Sequence, residues 1–399
     1  MKRSFFEDIS LSSITAGFLV VLISYAGPML IFFQAASLAH VTNEVLSSWV
    51  WAVSLGGGIS GIYLSWKYKM PIITAWSAPG AALLITLFPH MSVNEAISSY
   101  ITAAMIILLI GITGTFDKLI KHIPKGIAAG MMAGILFQFG VNIFKSVSTM
   151  PFLALSMIGV YLVFKRLMPK FAILVVLFSG IGLAHLIGDV NPDNFKLALA
   201  HPTFIAPVWT WESTFSFAIP LVLVSLTGQY LPGMAILKLS NYHVPAKPII
   251  TFTSFMSLVT SFFGGITTTT AAITATLCTG KEANEDPNKR YVAGIFSGAF
   301  FLVGGSLAGS IVLIFTSLPK ELIALLAGLA LLGAIVSSLM STLEEPEHRE
   351  AAAITFLATA SGMSFLGLGS AFWGIVIGSI AYVVSDKDLL KLKSKQKND

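Results

Sequence analysis

Two apolar stretches of this chain combine helix-breaking residues with hydroxyl side chains, and together they could bind an anion. The first, MPIITAWSAPGAALLITLF at residues 70–88, has Ser77 just before Pro79 and Gly80. The second, FFGGITTTTAAITATLC at residues 262–278, has Gly264-Gly265 and then four threonines. Each break would present a half-helix N-terminus, whose unpaired N–H groups and positive dipole end favour an anion. Two such termini facing each other would suit one carboxylate or another compact anion.

The predicted binding residues come from these breaks and from polar or aromatic positions in neighbouring apolar runs. Gln229 lies in TGQYLPGM, where Gly228, Pro232 and Gly233 loosen the helix. Tyr25 and Trp76 could flank a planar ring. The predicted substrate-binding set is Tyr25, Gln34, Trp76, Ser77, Ala78, Gly80, Gln229, Tyr230, Thr267, Thr268, Thr269 and Thr270.

Structural roles are the alternatives to a binding role. The first break could be a proline kink in an ordinary spanning helix. A single threonine or glutamine could hydrogen-bond a neighbouring helix, and Tyr25 or Trp76 could fill core space. The threonine cluster as a whole is better explained by a site, and a second break in the other half of the chain favours that reading.

The ionisable residues argue against catalysis and metal binding. No Asp, Glu, Lys or Arg lies centrally in an apolar run, and the chain has no His-Glu-x-x-His motif. Only His40, His90 and His185 fall within such runs, each close to an end. The single cysteine, Cys278, excludes an intrachain disulfide and a cysteine-based metal site. We therefore predict no enzyme, no metal and no cofactor, and the substrate itself could carry the proton.

The elements that must position these residues are membrane helices. Of the 399 residues 55% are hydrophobic and 11% charged, against about 25% charged in soluble domains, and the mean hydropathy is +0.83. We expect one all-α integral membrane domain over residues 1–399, because no soluble domain fits between the apolar runs. The charge-free run at residues 9–43 is too long for a signal peptide and predicts a first span.

Charge-free runs predict fourteen spans. The broken segment 70–94 is one. Runs 248–280 and 351–385 would measure about 50 Å as helices, against a hydrocarbon core of about 30 Å. Each must therefore fold back, at Gly264-Gly265 and near Gly367-Leu368-Gly369. The nine remaining single spans are runs 9–43, 45–66, 96–116, 126–144, 146–164, 171–188, 213–237, 291–319 and 322–343.

The basic residues test this topology. With the N- and C-termini in the cytoplasm, 21 of the 24 Lys and Arg residues fall on the inner side, a strong positive-inside bias. Only Lys145, Lys196 and Lys320 lie outside. Membrane topology thus explains the net charge of +5 without a nucleic-acid partner.

The two halves of the chain, residues 8–188 and 212–385, show weak matches in the same order. Pro124-Lys125 corresponds to Pro319-Lys320, Gly27 to Gly228, and GAALLITLF at 80–88 to TAAITATLC at 270–278. Seven spans per half is an odd number, so the second half must be inverted. Inverted repeats with paired broken helices are typical of secondary transporters. Chance similarity among apolar helices is the alternative.

The motifs MPIITAWSAPGAALL, FGGITTTTAAITATLCTGKEANEDPNKRY, GQYLPGMAIL and YAGPMLIFFQAA resemble the benzoate:proton symporter family, through nearly the whole chain. The resemblance implies a uracil-permease-like fold in which spans 3 and 10 are half-helices with short extended lead-ins. A core (residues 8–117 and 212–317) would move against a gate (123–188 and 318–385). It also implies proton-coupled uptake of benzoate or a related aromatic carboxylate across the cytoplasmic (inner) membrane.

Three departures put the substrate in question. The family often has Gln-Asn where this chain has Gln229-Tyr230, Asn-Leu where it has Thr269-Thr270, and an Arg near Gln138. A carrier of a nucleobase or an inorganic anion, or a channel, therefore stays an alternative, as does a homodimer as the assembly. The missing intramembrane Glu argues against nucleobases, whose N–H groups need a directed acceptor.

Overall fold

A computed structural model describes residues 5–88, 90–188, 196–272 and 274–385. These residues form helices and one small sheet. The first half contains α1 (Phe5–Asp8), α2 (Leu11–Ala26), α3 (Leu30–Leu38), α4 (Asn43–Tyr68), β1 (Thr74–Trp76), α5 (Ala78–Leu87), α6 (Val93–Thr113), α7 (Phe116–His122), α8 (Lys125–Thr149), α9 (Pro151–Leu167) and α10 (Ala172–Ile187). The second half contains α11 (Trp211–Leu239) and then α12 (Ala246–Ser261), β2 (Thr268–Thr270), α13 (Ala275–Thr279), α14 (Tyr291–Ser306), α15 (Ala308–Thr316), α16 (Lys320–Thr342), α17 (Arg349–Ala360) and α18 (Ser370–Ser385).

Many of these helices suit a lipid environment. Within the described residues, six are long and apolar enough to cross a membrane, or seven if α14 and α15, bent by 68°, count as one span. Large apolar side chains on α8, α9 and α10 are exposed, among them Phe144, Leu162 and Phe178. Such a surface is unusual for a soluble protein and fits contact with lipid tails. The protein is therefore a mostly helical membrane-type protein.

Both predicted breaks contain extended backbone, and the two extended segments pair with each other. Strands β1 and β2 are antiparallel, with Thr74 opposite Thr270 and Trp76 opposite Thr268. The Ser77 N–H donates to the Thr267 carbonyl and the Ala271 N–H to the Ile73 carbonyl, each at 2.9 Å. Each break thus satisfies backbone groups that the other would otherwise leave unpaired in a medium without water.

The half-helices after the two strands differ in length. α5 has ten residues and α13 has five, and each follows an extended segment. The run Thr267–Thr270 stays extended because its β-branched side chains suit a strand and its backbone is held by β1. The helix therefore begins only at Ala275.

The chain folds back at Gly264, the position expected from the sequence. Gly264 has φ of +86°, and a Cβ built on it would overlap the Trp49 indole. Only glycine therefore meets both the conformational and the spatial requirement there. A second reversal lies at Gly367, where φ is +74° and Phe365 and Leu368 form a β-bridge.

The helices pack in two groups. In one group, α4 packs against α14, α6 against α12, and α2 against α14. In the other, α8 packs against α16 and α17, α17 against α18, and α9 against α10. The paired strands and α11 belong with the first group, and the space between the groups contains the candidate site.

Candidate functional site

A cavity of about 610 Å³ lies where the two breaks meet. Its volume is within the usual range for small-molecule sites, about 300–1,000 Å³. One wall comes from the first break, the second break and α11. The residues of this wall are Ala75, Trp76, Ala78, Pro79, Ala271, Ala272, Thr274, Thr227, Gly228, Gln229, Leu231, Pro232 and Ala235, together with Ser24 and Pro28.

The opposite wall comes from one face of α8 and one face of α16. On α8 the lining residues run from Lys125 through Met132 to Leu136, a length of about 16 Å at 1.5 Å per residue. The lining residues of α16 are Ala330, Leu331, Gly333, Ala334, Ser337, Ser338 and Ser341. Both faces lead from one end of a long helix to its middle, so the cavity reaches about halfway along these helices.

Charged side chains line the cavity only at its mouth, as far as the described lining residues show. Lys125 at the start of α8 and Glu344 just after α16 are exposed there. Ile120 and Ile123 complete this end. The inner part is lined by apolar, hydroxyl and amide groups, so a charged ligand there would depend on backbone dipoles and uncharged donors.

The N-terminus of α5 supplies such a backbone dipole. Ser77 is its N-cap, and the Ser77 hydroxyl accepts from the Gly80 N–H at 3.1 Å. Pro79 has no N–H. The Ala78 N–H has no hydrogen-bond partner among the described residues, and Ala78 and Pro79 both line the cavity. A free donor at the positive end of a ten-residue helix is a suitable partner for a carboxylate oxygen.

Three of the predicted binding residues line the cavity: Trp76, Ala78 and Gln229. Trp76 also packs against Tyr25 and Phe301, with ring centroids 6.0 and 5.7 Å away. Its indole nitrogen is buried, with no partner among the described residues. Trp76 therefore lies between the cavity and a cluster of aromatic rings.

The threonines lie behind the lining. Thr267, Thr268, Thr269 and Thr270 are each at most 2% exposed. The Thr270 hydroxyl donates to the Gln229 carbonyl at 3.0 Å, and the Thr269 hydroxyl lies 3.5 Å from the Ala75 carbonyl. The Thr267 and Ser225 hydroxyls are hydrogen-bonded at 3.1 Å. In this conformation the cluster holds the second break against its neighbours.

The other predicted residues support the site from further away. Ser77 caps α5, and a Cβ at Gly80 would lie 2.5 Å from a Leu221 methyl. Tyr25 is hydrogen-bonded to Ser54 at 2.6 Å, and Tyr230 to Thr253 at 2.6 Å and to the Thr268 carbonyl at 3.1 Å. Gln34 reaches the Ile323 carbonyl at 3.5 Å, which connects α3 to α16. Whether any of these residues contacts a substrate stays a prediction.

Sequence reasoning missed the face of α16 and the residues next to Gly27. Ser337 and Ser341 are four residues apart and share one helix face. The small residues Ala330, Gly333 and Ala334 precede them on the cavity side, and this pattern of small and hydroxyl side chains is visible in the sequence. Pro28 follows Gly27 at the junction of α2 and α3, a third break within an apolar run. Met132 carries no such signal, because a methionine in an apolar helix usually packs in the core.

Within the described residues, no group of three His, Cys, Asp or Glu side chains is placed to hold a metal ion. At the cytoplasmic-side loops that the topology predicts, Lys170 and Glu282 form a salt bridge at 2.6 Å. The Lys170 ammonium holds the pKa of the Glu282 carboxyl below its usual range. This bridge connects the α9–α10 loop to the α13–α14 loop, and so joins the two helix groups.

Comparison with known proteins places these features in a family. The family model for "Benzoate membrane transport protein" matches residues 7–384. The chain is 57% identical over 388 residues to the "Benzoate membrane transport protein" of Acinetobacter baylyi, covering 97% of this chain and 98% of that one. It is 40% identical over 372 residues to the "Inner membrane protein YdcO" of Escherichia coli, covering 93% and 95%.

Two solved structures share the fold at low sequence identity. SLC26A9 superposes with a TM-score of 0.63 and 14% identity, covering 96% of this chain and 67% of that chain. The transmembrane domain of the cyanobacterial bicarbonate transporter BicA gives 0.61 and 14%, covering 94% and 98%. At this identity the likeness concerns the fold alone.

Proposed function

The chain belongs to the benzoate membrane transport protein family, a family of membrane transporters and not of enzymes, and we propose that it carries benzoate or a related aromatic carboxylate across the cytoplasmic membrane by proton-coupled alternating access. The observation that carries this proposal is the cavity at which both breaks meet. It offers an Ala78 N–H with no partner among the described residues, and its inner lining combines apolar side chains with uncharged polar groups such as the Gln229 amide.

The two parts of benzoate suit two parts of this cavity. Its carboxylate would accept from the Ala78 N–H at the α5 N-terminus, and the Gln229 amide would donate to the same group. Its ring would lie between Trp76 and the apolar face of α8 that includes Met132. A ligand with one charged end and one apolar end gains from both walls, whereas a small inorganic anion gains only from the first.

The fourteen-span inverted repeat is part of the proposal. Every predicted charge-free run contains at least one described helix. α8 and α16 each begin directly after a proline, Pro124 and Pro319, and pack against each other. The first group of helices would be the moving core (residues 8–117 and 212–317), and the second the gate (123–188 and 318–385).

The cavity opens toward the N-terminal end of α8, near Lys125 of α8 and Lys118 and Lys121 of the preceding α7. The positive-inside rule assigns these three residues to the cytoplasm. The conformation would therefore be the inward-open state, with both termini on the same side. Since the described lining holds no acidic side chain apart from Glu344 at the mouth, we propose that the substrate carboxyl group takes part in proton transfer. Substrate would then be released into the cytoplasm from this state.

Uptake into proteoliposomes tests the proposal. Purified protein should accumulate labelled benzoate when the outside is acidic, and a protonophore should abolish that accumulation. Liposomes without protein, treated identically, correct for benzoic acid that crosses the bilayer unaided. Gradient-independent passage at a rate that does not saturate would instead indicate a channel, and absence of protein-dependent uptake would refute the proposal.

An inorganic anion is the second candidate, because the α5 N-terminus would favour any compact anion. Competition distinguishes the candidate substrates. Excess unlabelled benzoate should inhibit the uptake of labelled benzoate, whereas excess bicarbonate or uracil should not. A homodimer is the assembly we propose, and the mass of the particle in detergent, measured by light scattering, would test it.

A further inference from the structure

We propose that Met132 and Gly228 together set the size limit of the substrate ring, an inference that rests on the proposed function and names a feature of its substrate class. Met132 lies on α8 in one wall of the cavity and Gly228 on α11 in the other. Their contact is where the two walls approach each other inside the cavity.

The contact between them is specific. A Cβ built on Gly228 would overlap the Met132 terminal methyl, and the Met132 sulfur is 3.7 Å from the same position. Apart from the chain neighbours of Gly228 and the backbone of its own helix, no other described atom lies within 4 Å of that position. Met132 is 6% exposed, so its side chain extends from α8 onto the bare backbone of α11.

The backbone of α11 does not itself require glycine at this position. Gly228 lies in the π-helical turn Leu226–Tyr230 and is not among the described residues with positive φ. Any L-residue could adopt its conformation, and glycine destabilises a helix relative to alanine. The missing side chain therefore makes room for the Met132 thioether.

Methionine suits a size limit because it is unbranched and has three rotatable bonds. A methyl group added at residue 228 would displace the thioether into the cavity and reduce the room for a ring. Removal of the thioether would enlarge that room. A change of one methylene in an apolar pocket alters discrimination by about 10- to 200-fold.

The experiment compares initial uptake rates of benzoate and 2-naphthoate in proteoliposomes for wild type, Gly228→Ala, Met132→Ala and the double variant. Gly228→Ala should lower the naphthoate-to-benzoate ratio by about tenfold, and Met132→Ala should raise it by about tenfold. In the double variant the added methyl has no thioether to displace, so the ratio should return toward or above the wild-type value.

Two glycines provide matched controls. Gly333 lines the same cavity and Gly159 lies outside it, and a Cβ on either would have no neighbour within 4 Å. Gly333→Ala adds a methyl to the cavity without moving Met132, so its ratio should change less than that of Gly228→Ala. Gly159→Ala should leave the ratio unchanged.

The outcomes separate this inference from the proposed function. Wild-type protein that takes up no carboxylate refutes the proposed function and the size limit with it. Wild-type uptake of benzoate with ratios that are the same in Met132→Ala, Gly228→Ala and Gly159→Ala refutes the size limit alone.

A second measurement covers the case in which Gly228→Ala does not fold. Met132→Cys, in a chain whose buried Cys278 is replaced by Ala, should react with a small water-soluble methanethiosulfonate reagent. Excess benzoate should slow that reaction, and 2-naphthoate should slow it more. Reaction at a rate that neither carboxylate changes would contradict the placement of residue 132 beside the ring.

Discussion

Ala75 and Thr269 are 194 residues apart in sequence and face each other at the centre of the antiparallel strand pair. The Thr269 hydroxyl lies 3.5 Å from the Ala75 carbonyl, and Ala75 itself lines the cavity. This pairing brings the break in each half of the chain to one place. The cavity wall therefore depends on both halves of the chain, and a substitution at Thr269 should change the cavity at Ala75.

A carboxylate at residue 269 should inhibit transport. Thr269→Asp would place a second negative charge directly behind the cavity wall at Ala75, in a site of low dielectric where like charges disfavour each other. A loss of about 1.4 kcal/mol in binding already lowers affinity tenfold, so we expect benzoate uptake to fall by at least about that factor. Thr269→Asn is the control of matched size, and it should retain more uptake than Thr269→Asp. Equal uptake by the two variants would contradict the anion site.

Loss of the α5 cap should destabilise the protein. Ser77→Ala removes the hydroxyl that accepts from the Gly80 N–H, a change that costs about 1 kcal/mol at a helix N-cap. The unfolding temperature of Ser77→Ala in detergent should be lower than that of wild type. Ser77→Thr keeps the hydroxyl, so its unfolding temperature should fall less. An unchanged unfolding temperature for Ser77→Ala would show that the cap adds nothing to stability.

The breaks in residues 70–88 and 262–278, the reversals at Gly264 and Gly367 and most helices of this fold could be predicted from local sequence. Pro79, Gly264 and Gly367 restrict or permit particular backbone angles wherever they occur, and long apolar runs form helices in a membrane whatever their neighbours. The helix N-terminus of α5, where we propose that the anion binds, follows from Ser77 and Pro79 by the same local rules. These features needed no knowledge of tertiary packing.

The lining of the cavity could not be predicted in this way. Whether the Thr268 side chain faces the cavity or the protein depends on which side of β2 the helices cover. Here it is fully buried, with its hydroxyl against Gly56 of α4. The contact of Met132 with Gly228 joins residues distant in sequence. A single sequence shows neither which face of a strand is covered nor which distant residues come into contact.

Lys125 at the mouth should assist the approach of an anion. Lys125→Glu reverses the charge at the mouth, so at low ionic strength the apparent affinity for benzoate on that side should fall. The effect should shrink as salt screens the charge, since the screening length is about 10 Å at 0.1 M. Lys121→Glu makes the same charge change on α7 outside the described cavity lining and should have a smaller effect. Equal effects of the two variants would contradict a role for Lys125 at the mouth.

The Lys170–Glu282 bridge should hold the two groups of helices in the present arrangement. Glu282→Lys places two positive charges together and should change the transport rate. The double variant Glu282→Lys, Lys170→Glu restores an ion pair with the charges exchanged. Its transport rate should therefore return toward the wild-type value. The Lys170 ammonium lowers the pKa of Glu282, so the bridge is formed above the ordinary value of 4.5. It is lost as pH falls through the lowered pKa.

The pH dependence supplies the control for this bridge. Between pH 6 and 8 the Glu282 carboxyl stays ionised, so the difference between wild type and Glu282→Gln should be constant across that range. A difference that varies between pH 6 and 8 would assign the titration to another group. Failure of the charge swap to restore the rate would mean that the bridge does not couple the two loops.

The most direct test of the account is the position of a bound ligand. A structure with 4-bromobenzoate, whose bromine is located by its anomalous scattering, should place the carboxylate at the Ala78 N–H and the ring between Trp76 and Met132. Bromine density outside the cavity, or a carboxylate bound at Lys125 with the inner cavity empty, would contradict the account.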